Sequence, residues 1–346
     1  MTLKEKMKQG PVFGMACFTG TTCVIENIAM SGLDFIYLDL EHTNWMLNED
    51  FEKQIMAARL HDISVLVRMA DDDEVAIRKV LEWGADGVVI PHCKTAEMAR
   101  KCVEAAKFSP MGRRGGESNV RAAGFGYHNF DWNTYMEQQN RDTLVIPMDE
   151  DYEFTDNLDE ILAVEGIDAV NFGPIDYAVS RNLKIGYTMG DEVKEAFKKL
   201  VEKARPKGIG VLGPVVPPTE ENLKQAIADG YNMIILGNDM WHFQKALKEL
   251  VSTCLLYTSF IFIGKQPLAK PADAAVQVVA HERLDAANVF FLDHAHHLLV
   301  VSDDVGHVFG SHDVQADQAG IVGVGGENPV PEVGLPRGLK PHLVHI

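Results

Sequence analysis

The sequence predicts an α/β fold, a (β/α)8 TIM barrel, over residues 1 to 251, followed by an atypical C-terminal segment from 252 to 346. Three observations predict the barrel. A short pattern of glycine, an apolar residue and Asp or Asn recurs before strand-like runs, and those runs are continuously apolar. Strand and helix patterns also alternate over roughly 240 residues, which is the size and rhythm of such a barrel.

The recurring pattern occurs four times, each time between a helix-like stretch and a buried-strand run. The copies are Gly32-Leu33-Asp34, Gly84-Ala85-Asp86, Gly166-Ile167-Asp168 and Gly230-Tyr231-Asn232. Glycine suits the left-handed residue that ends a helix, and a short turn then leads into the strand. The runs that follow, such as FIYLDL and GVVIPH, do not alternate with polar residues. Parallel strands covered on both faces have this composition.

Four further strands are predicted between these copies, at 12 to 18, 64 to 70, 143 to 148 and 209 to 216. Helical patterns lie between them, at 73 to 83, 95 to 108 and 191 to 204, and the run WHFQKALKELV predicts a closing helix that ends near Val251. A doubly wound open sheet shares this alternation and remains an alternative.

After Val251 the character of the sequence changes. Residues 252 to 346 carry eight of the 13 histidines, show little helical periodicity and end in a run rich in Gly, Pro and Val. One interpretation is an accessory domain. We favour a chimeric or vector-derived segment, because the barrel is complete without it and its pattern agrees with no fold class. The histidines lack the spacing of a metal site.

The composition excludes several classes of protein. The formal net charge of −18 argues against a nucleic-acid binder, which needs clustered Lys and Arg. The five cysteines show no CxxC pairing, so neither a disulfide framework nor a zinc cage is indicated. No signal peptide or membrane span is recognisable, and we expect a cytoplasmic protein.

Polar side chains follow five of the predicted strands, where the active sites of such barrels lie. They occur in DLEH (39 to 42), at Arg68, in Pro91-His92, in MDE (148 to 150) and in GPID (173 to 176). A purely structural barrel does not need ionisable groups at five strand ends. The sequence therefore predicts an enzyme site at this end of the barrel.

These residues also carry a family resemblance. From about Val12 to Val251 the chain resembles the HpcH/HpaI family of class II pyruvate aldolases. The blocks that carry it are DLEH (39 to 42), VLVRM (65 to 69), LEWGADGVVIPH (81 to 92), FSPMGRRG (108 to 115) and VEGIDAVNFGPID (164 to 176). They stand in family order and spacing, and none lies in the C-terminal segment.

The resemblance implies that Glu150 and Asp176 hold a divalent metal (Mg, Mn or Co), with water and the keto and carboxylate oxygens of the substrate completing its shell. An all-oxygen site suits Mg or Mn. Each residue also has a structural interpretation. Glu150 could be a solvated acid in the run DEDYE, and Asp176 could be the N-cap of a helix.

The resemblance further implies that Arg68 holds the pyruvyl oxygens, beside Gly173 and Pro174 as substrate-binding residues, and that His42 transfers protons. A guanidinium fork fits a planar oxygen pair, and an imidazole titrates near neutral pH. Alternatively, Arg68 could pair with one of the aspartates at 71 to 73, and His42 could be structural.

The sequence departs from the family at two positions. Glu82 stands where the family has an aspartate paired with the histidine, so the geometry of this catalytic pair is in question. Met148 replaces a glutamine two positions before the metal glutamate, which could alter the substrate or the reaction. In GRRG, Arg114 matches a loop arginine of the family, but Arg113 beside it leaves the choice open.

The predicted function is a metal-dependent carbon–carbon lyase that cleaves a 2-oxo-4-hydroxy acid to pyruvate, or a related 2-oxo acid, and an aldehyde. No lysine lies at the matched strand ends, which disfavours Schiff-base chemistry. An oxaloacetate-type decarboxylase on the same site and a noncatalytic barrel remain alternatives. The resemblance also implies a homo-oligomer, with a hexamer as the expectation.

The C-terminal segment yields a first prediction. If residues 252 to 346 are not part of the evolved domain, a chain that ends at Val251 should fold and melt like the full chain, because the closing helix needs no later partner. Thermal melting and activity of both chains would measure this. A drop of several degrees, or loss of soluble protein, would contradict the prediction.

Overall fold

The computed structural model describes residues 1–127, 129–186 and 189–264, together with four short strands at 287–291, 298–302, 314–316 and 322–324. The chain divides into two compact units, Met1–Tyr257 and Thr258–Ile346. No helix in these ranges is long and apolar enough to cross a membrane.

The first unit is a closed barrel of eight parallel strands in sequential order, so the predicted (β/α)8 fold is confirmed. Because β1 pairs with β8, the doubly wound alternative is wrong. The strands are β1 (Val12–Cys17), β2 (Phe35–Asp39), β3 (Ser64–Arg68), β4 (Gly87–Ile90), β5 (Leu144–Asp149), β6 (Ala169–Phe172), β7 (Gly210–Pro214) and β8 (Met233–Asn238).

Helices connect these strands. They are α1 (Leu3–Gln9), α2 (Thr22–Met30), α3 (Glu49–Arg59), α4 (Glu74–Glu82), α5 (Ala96–Ala106), α6 (Trp132–Asp142), α7 (Tyr152–Asp156), α8 (Leu158–Ile161), α9 (Pro174–Ser180), α10 (Asp191–Ala204), α11 (Glu220–Asp229) and α12 (Asp239–Gly264). Two short 3-10 helices lie at Arg121–Gly126 and Arg205–Lys207. The closing helix α12 continues beyond Val251, where the sequence predicted its end.

In the second unit the structure describes two antiparallel strand pairs, β9 (Ala287–Phe291) with β10 (Leu298–Ser302) and β11 (Val314–Ala316) with β12 (Val322–Val324). The boundary between the units, after Tyr257, lies six residues after Val251. We propose that the barrel domain is complete within the first unit. The prediction that the second unit is not part of the evolved domain is tested by the chain that ends at Val251.

The barrel has two apolar layers, one on each face of the sheet. Successive residues of a strand point to opposite faces. On β2, Ile36 and Leu38 pack outward against the helices, whereas Phe35 and Tyr37 point into the barrel. Leu3 of α1 packs on the same inner cluster. Because both faces are covered, the strands need the continuous apolar runs seen in the sequence.

The recurring sequence pattern has a structural role. Its glycines all have positive φ, namely Gly32 (89°), Gly84 (105°), Gly166 (96°) and Gly230 (115°). Gly32, Gly84 and Gly230 come one or two residues after the end of their helices, as predicted, whereas Gly166 comes five residues after the end of α8. The Asp or Asn two residues later ties strands together at the amino-terminal end of the barrel. In each copy a side-chain oxygen accepts a backbone N–H from the preceding odd-numbered strand. These bonds are Phe13 to Asp34 (3.0 Å), Val65 to Asp86 (2.7 Å), Val145 to Asp168 (2.9 Å) and Val211 to Asn232 (2.7 Å).

The backbone of the same four residues completes the tie. Each N–H donates to the carbonyl of the residue bound by its own side chain, as from Asp86 to Val65 (2.8 Å). Each carbonyl then accepts from the next odd-numbered strand, as from Leu144 to Asp86 (2.9 Å). One Asp or Asn therefore spans three neighbouring strands, and the four together fix the register around the barrel.

This ring yields the second prediction. Asp86→Ala should lower the free energy of unfolding by about 1–3 kcal/mol, because it leaves the Val65 N–H without its side-chain acceptor. Asp86→Asn is the matched control and should have a much smaller effect. It keeps an oxygen, as Asn232 does in the fourth copy, and loses only the exposed pair with Arg59. Urea unfolding measures both, and equal losses in the two variants would contradict the assigned role.

Candidate active site

Arg68 and Asp39 form a buried ion pair at the carboxyl end of the barrel. The Arg68 Nε and one terminal nitrogen donate to the two oxygens of Asp39 at 2.8 and 2.6 Å, and the other terminal nitrogen lies 3.0 Å from Glu41. The two residues end β3 and β2 and are register partners. The alternative partners at 71 to 73 are therefore not the ones Arg68 uses. Asp39, at the end of the neighbouring strand, therefore fixes the orientation of the Arg68 guanidinium.

The charge of Arg68 is secured by its surroundings. Burial alone would lower its pKa, but the neighbouring Tyr37, Asp39 and Glu41 outweigh burial and raise the pKa above its ordinary value. Burial raises the pKa of Glu41, although Arg68 and two nearby histidines oppose the shift. Arg68 is thus a permanent cation among several carboxyl groups.

Glu150, directly after β5, lies beside this pair and is almost fully buried. Its Oε1 accepts the backbone N–H of His92 at 2.6 Å. Burial raises the pKa of Glu150 to about 7, and the charges of Glu41 and Asp176 add to the shift, while His92 opposes it. Burial is the largest cause of the shift, because it disfavours the ionised carboxylate.

His92, like Asp39 and Glu41, is a residue of this site to which the sequence analysis gave no role. Its ring lies among three carboxylates: Nε2 is 3.3 Å from Glu41, and Nδ1 is 3.6 Å from Glu150 and 2.9 Å from Asp151. Burial would lower its pKa, but these carboxylates outweigh burial and raise it. The available signal was a histidine directly after a predicted strand. It also has a positive φ of 50°, which only the structure shows.

Oxygen and nitrogen donors converge here. Within the described residues, Glu41, His92 and Glu150 can each offer one ligand atom, and these atoms lie within 4.8 Å of one another. Asp176, in the first turn of α9, is near enough to act electrostatically on Glu150. These donors suit a cation. Glu150 belongs both to this group of three and to the pair Glu150 and Asp176 that the sequence predicted.

Gly173 and Pro174 link β6 to α9 next to Glu150. Pro174 is the first residue of the helix, a position that suits proline. A Cβ at position 173 would lie 2.8 Å from the Glu150 Cβ, so only glycine lets the two strand ends approach this closely. The sequence-predicted Arg68, Glu150, Gly173, Pro174 and Asp176 therefore all lie at the carboxyl ends of β3, β5 and β6.

His42 lies at the same end but is more exposed. Its side chain is 56% exposed, and its Nε2 is 3.7 Å from Glu41. Glu82, predicted to pair with it, ends α4 and faces Arg78 at 3.7 Å instead. Because α4 runs antiparallel to the strands, its last residue lies at the opposite end of the barrel. Within the described residues, the carboxylate next to His42 is Glu41.

The structure also separates the two arginines of GRRG. Arg114 is buried: it donates to Gln139 at 3.1 Å and stacks over Phe108 at 4.8 Å. Arg113 is 84% exposed and lies 3.6 Å from Glu104. Met148 is buried in the inner apolar cluster. Neither arginine has a contact with the strand-end residues described above.

Comparison with known proteins places this geometry in a family. The family described as HpcH/HpaI aldolase/citrate lyase matches residues 18–246. The 2-keto-3-deoxy-L-rhamnonate aldolase of Escherichia coli (strain K12) is 32% identical over 251 residues, which cover 71% of this chain and 90% of that protein.

Two solved structures share the fold. An HpcH/HpaI aldolase from Desulfitobacterium hafniense DCB-2 has a TM-score of 0.67 and 27% identity, with 78% of this chain and 100% of that chain covered. Citrate synthase SbnG has a TM-score of 0.66 and 27% identity, with 75% and 99% covered.

These likenesses confirm the family and the enzyme class that the sequence predicted, a class II aldolase acting on small-molecule acids. The matched region ends close to Val251, and the blocks that carried the resemblance all lie inside it. The chain belongs to the HpcH/HpaI aldolase/citrate lyase family.

Proposed function

We propose that the barrel cleaves a 2-keto-3-deoxy sugar acid, which is a 2-oxo-4-hydroxy acid, into pyruvate and an aldehyde through an enolate. The observation that carries the proposal is the buried Arg68–Asp39 pair beside Glu150 at the carboxyl end of the barrel. An aldolase needs a fixed cation to stabilise the enolate oxygen, and this pair supplies one. The rhamnonate aldolase at 32% identity supports the substrate class.

A divalent metal fits the donors present. Glu150 is buried, which raises its pKa, and the nearby carboxylates of Glu41 and Asp176 raise that pKa further. Such a group favours a hard divalent ion. We propose Glu150 and Asp176 as its protein ligands, with Mg, Mn or Co as the metal. When bound, the metal would polarise the ketone of the substrate.

Arg68 would then hold the pyruvyl carboxylate or keto oxygen. Its fork to Asp39 uses Nε and one terminal nitrogen, and a substrate oxygen would compete with Glu41 for the other terminal nitrogen, which lies 3.0 Å from it. Because Asp39 fixes the guanidinium before substrate arrives, no reorganisation is needed as negative charge develops on the enolate. Gly173 and Pro174 would frame the same end of the substrate.

The proton transfers fall to groups at the mouth. In cleavage, a base removes the proton from the 4-hydroxyl, the C3–C4 bond breaks, and its electron pair moves to C3 as the enolate; a proton then adds to C3. His42, half-exposed beside Glu41, is placed to exchange protons with water. We propose Glu41, rather than the distant Glu82, as the carboxylate that supports His42.

Further properties follow from the family rather than from the geometry. We keep the homo-oligomer, with a hexamer as the specific expectation, and the cytoplasmic location as proposals. Decarboxylation of an oxaloacetate-like acid would use the same metal and Arg68 but no aldehyde pocket. A screen of oxaloacetate and several 4-hydroxy-2-oxo acids with Mg, Mn and Co would separate the two reactions.

The third prediction tests the metal ligands. Glu150→Gln and Asp176→Asn should each weaken Mn binding by at least roughly 10-fold with little loss of fold, because each removes one anionic ligand and keeps the shape. Calorimetric titration measures the affinity. Glu160→Gln, on the exposed surface of α8, is the matched control. Unchanged affinity in both variants would place the metal elsewhere, and His92→Gln would show whether the imidazole is a ligand.

The fourth prediction tests the shared chemical step. An enzyme that stabilises pyruvate enolate exchanges the methyl protons of pyruvate with solvent, so deuterium uptake should appear by NMR. Arg68→Ala should slow this exchange roughly 100-fold or more, since losing one preorganised oxyanion partner costs about 3 kcal/mol. Arg68→Lys keeps the positive charge beside Asp39 but loses the planar guanidinium fork. His42→Ala should slow the exchange less than either Arg68 variant if water reaches the enolate.

The control for this experiment is Arg113→Ala, which removes an exposed arginine far from the strand ends. It should exchange at the wild-type rate. If the wild-type protein with Mg, Mn or Co shows no exchange above the metal alone, the enolate mechanism is wrong.

A further inference from the structure

Arg114, in the segment between α5 and α6, is a buried cation that the mechanism above does not use. The residue is only 5% exposed, and its guanidinium carbon lies 4.8 Å from the centre of the Phe108 ring. Its Nη1 donates to Gln139 Oε1 at 3.1 Å, which ties the segment to α6. Its other two nitrogens, Nε and Nη2, are also buried, and neither has a hydrogen-bond partner within the described part of the chain.

Nε and Nη2 are neighbouring donors on one edge of the guanidinium group. In Arg68 the same edge binds the two oxygens of Asp39, with Nε and Nη2 donating at 2.8 and 2.6 Å. In Arg114 the corresponding edge has no oxygens to bind. Such an edge fits the oxygen pair of a carboxylate or a phosphate, and charged donors buried without an acceptor are unfavourable. The unused edge of Arg114 therefore suits an anion that offers two oxygens side by side.

The charges around Arg114 come from α4 and α6. Burial lowers the pKa of Arg114, Tyr135 and Glu82 oppose the shift, and Arg78 adds to it. Glu82 pairs with Arg78, whose Nε lies 3.7 Å from it, and within the described residues no carboxylate forms an ion pair with Arg114. Two arginines therefore share one carboxylate here. The local balance is positive, although the formal net charge of the chain is −18.

The cover beside Arg114 is thin. Gly115 and Gly116, which follow it, are both exposed. Within the described part of the chain, the backbone N–H of neither glycine donates a hydrogen bond. A Cβ on Gly115 would lie 3.3 Å from Arg78 Nη1, so the end of this arginine, whose side chain is 41% exposed, lies on the main chain directly after Arg114. On this side the cover consists of two glycines and a flexible, exposed side chain.

We propose that residues 112–116 form a second ligand site, which binds an oxyanion, a carboxylate or a phosphate group, through the Nε and Nη2 edge of Arg114. Arg78 would turn outward to admit the anion, and the free N–H groups of the two glycines would meet its outer oxygens. The Arg114 N–H donates to the carbonyl of Lys107, directly after α5. Because α5 runs antiparallel to the strands, the site lies at the amino-terminal end of the barrel, opposite the active site, and does not depend on the proposed function.

The test is calorimetric titration of the full chain, without added metal, with two probes, inorganic phosphate and acetate. Arg114→Met keeps a long side chain over Phe108 but removes the donor edge, so anion affinity should fall roughly 10-fold or more. Arg114→Lys keeps the charge but loses the fork, and its affinity should also fall. Arg113→Met, at the exposed neighbouring arginine, is the matched control and should bind as the wild type does. Should Arg114→Met not fold, Arg114→Lys carries the comparison.

Thermal melting gives an independent measurement of the same binding. A ligand that binds only the folded chain raises its melting temperature. Saturating anion should therefore raise the melting temperature of the wild type and of Arg113→Met more than that of Arg114→Met, and this comparison cancels the general stabilising effect of phosphate. In chloride alone, Arg114→Met should melt no lower than the wild type, because methionine leaves no buried donor unpaired.

Binding of phosphate, of acetate or of both supports the proposal if it is lost in Arg114→Met, and the probe that binds identifies the group recognised. Equal binding by the wild type and Arg114→Met would overturn it. Binding that is lost in Arg68→Ala and kept in Arg114→Met would also overturn it, because the anion would then bind at the active site. If neither probe binds the wild type, the proposal is wrong, and a lower melting temperature of Glu82→Gln would identify Glu82 as the internal partner of Arg114.

Discussion

The geometry of the site depends on the ring of hydrogen bonds at the opposite end of the barrel. Asp34, Asp86, Asp168 and Asn232 each join three consecutive strands and so set how far each strand is shifted against its neighbours. A slip of one residue would turn every inward side chain outward. With the register fixed, the residues at the far ends of β2, β3, β5 and β6 must meet at one mouth.

At that mouth the fold places more negative than positive charge. Arg68 pairs with Asp39 and lies 3.0 Å from Glu41, and burial raises the pKa of Glu150 to about 7. A carboxyl group whose pKa is higher in the folded than in the unfolded state destabilises the fold as pH rises above its unfolded pKa. A cation held at Glu150 would offset that loss of stability. The proposed metal site therefore lies where carboxyl groups outnumber positive charges.

The structure adds to the sequence analysis of the site at several positions. Glu82 matched the family at the right distance along the chain, but α4 runs back down the outside of the barrel and carries its last residue away from the mouth. His92 and Glu41 were visible after their strands, but their convergence with Glu150 is seen only in the structure.

Local signals in the sequence were enough to predict the barrel, its strand and helix order, the family and the strand ends that carry Arg68, Glu150 and Asp176. These predictions were possible because glycines after helices, apolar runs and polar strand ends can each be recognised from a few consecutive residues. Contacts between strands were needed to show that Asp39 holds Arg68 and that Glu41, His92 and Glu150 come together. These are relations between different strands, and they exist only once closure of the barrel and its register bring the strand ends together.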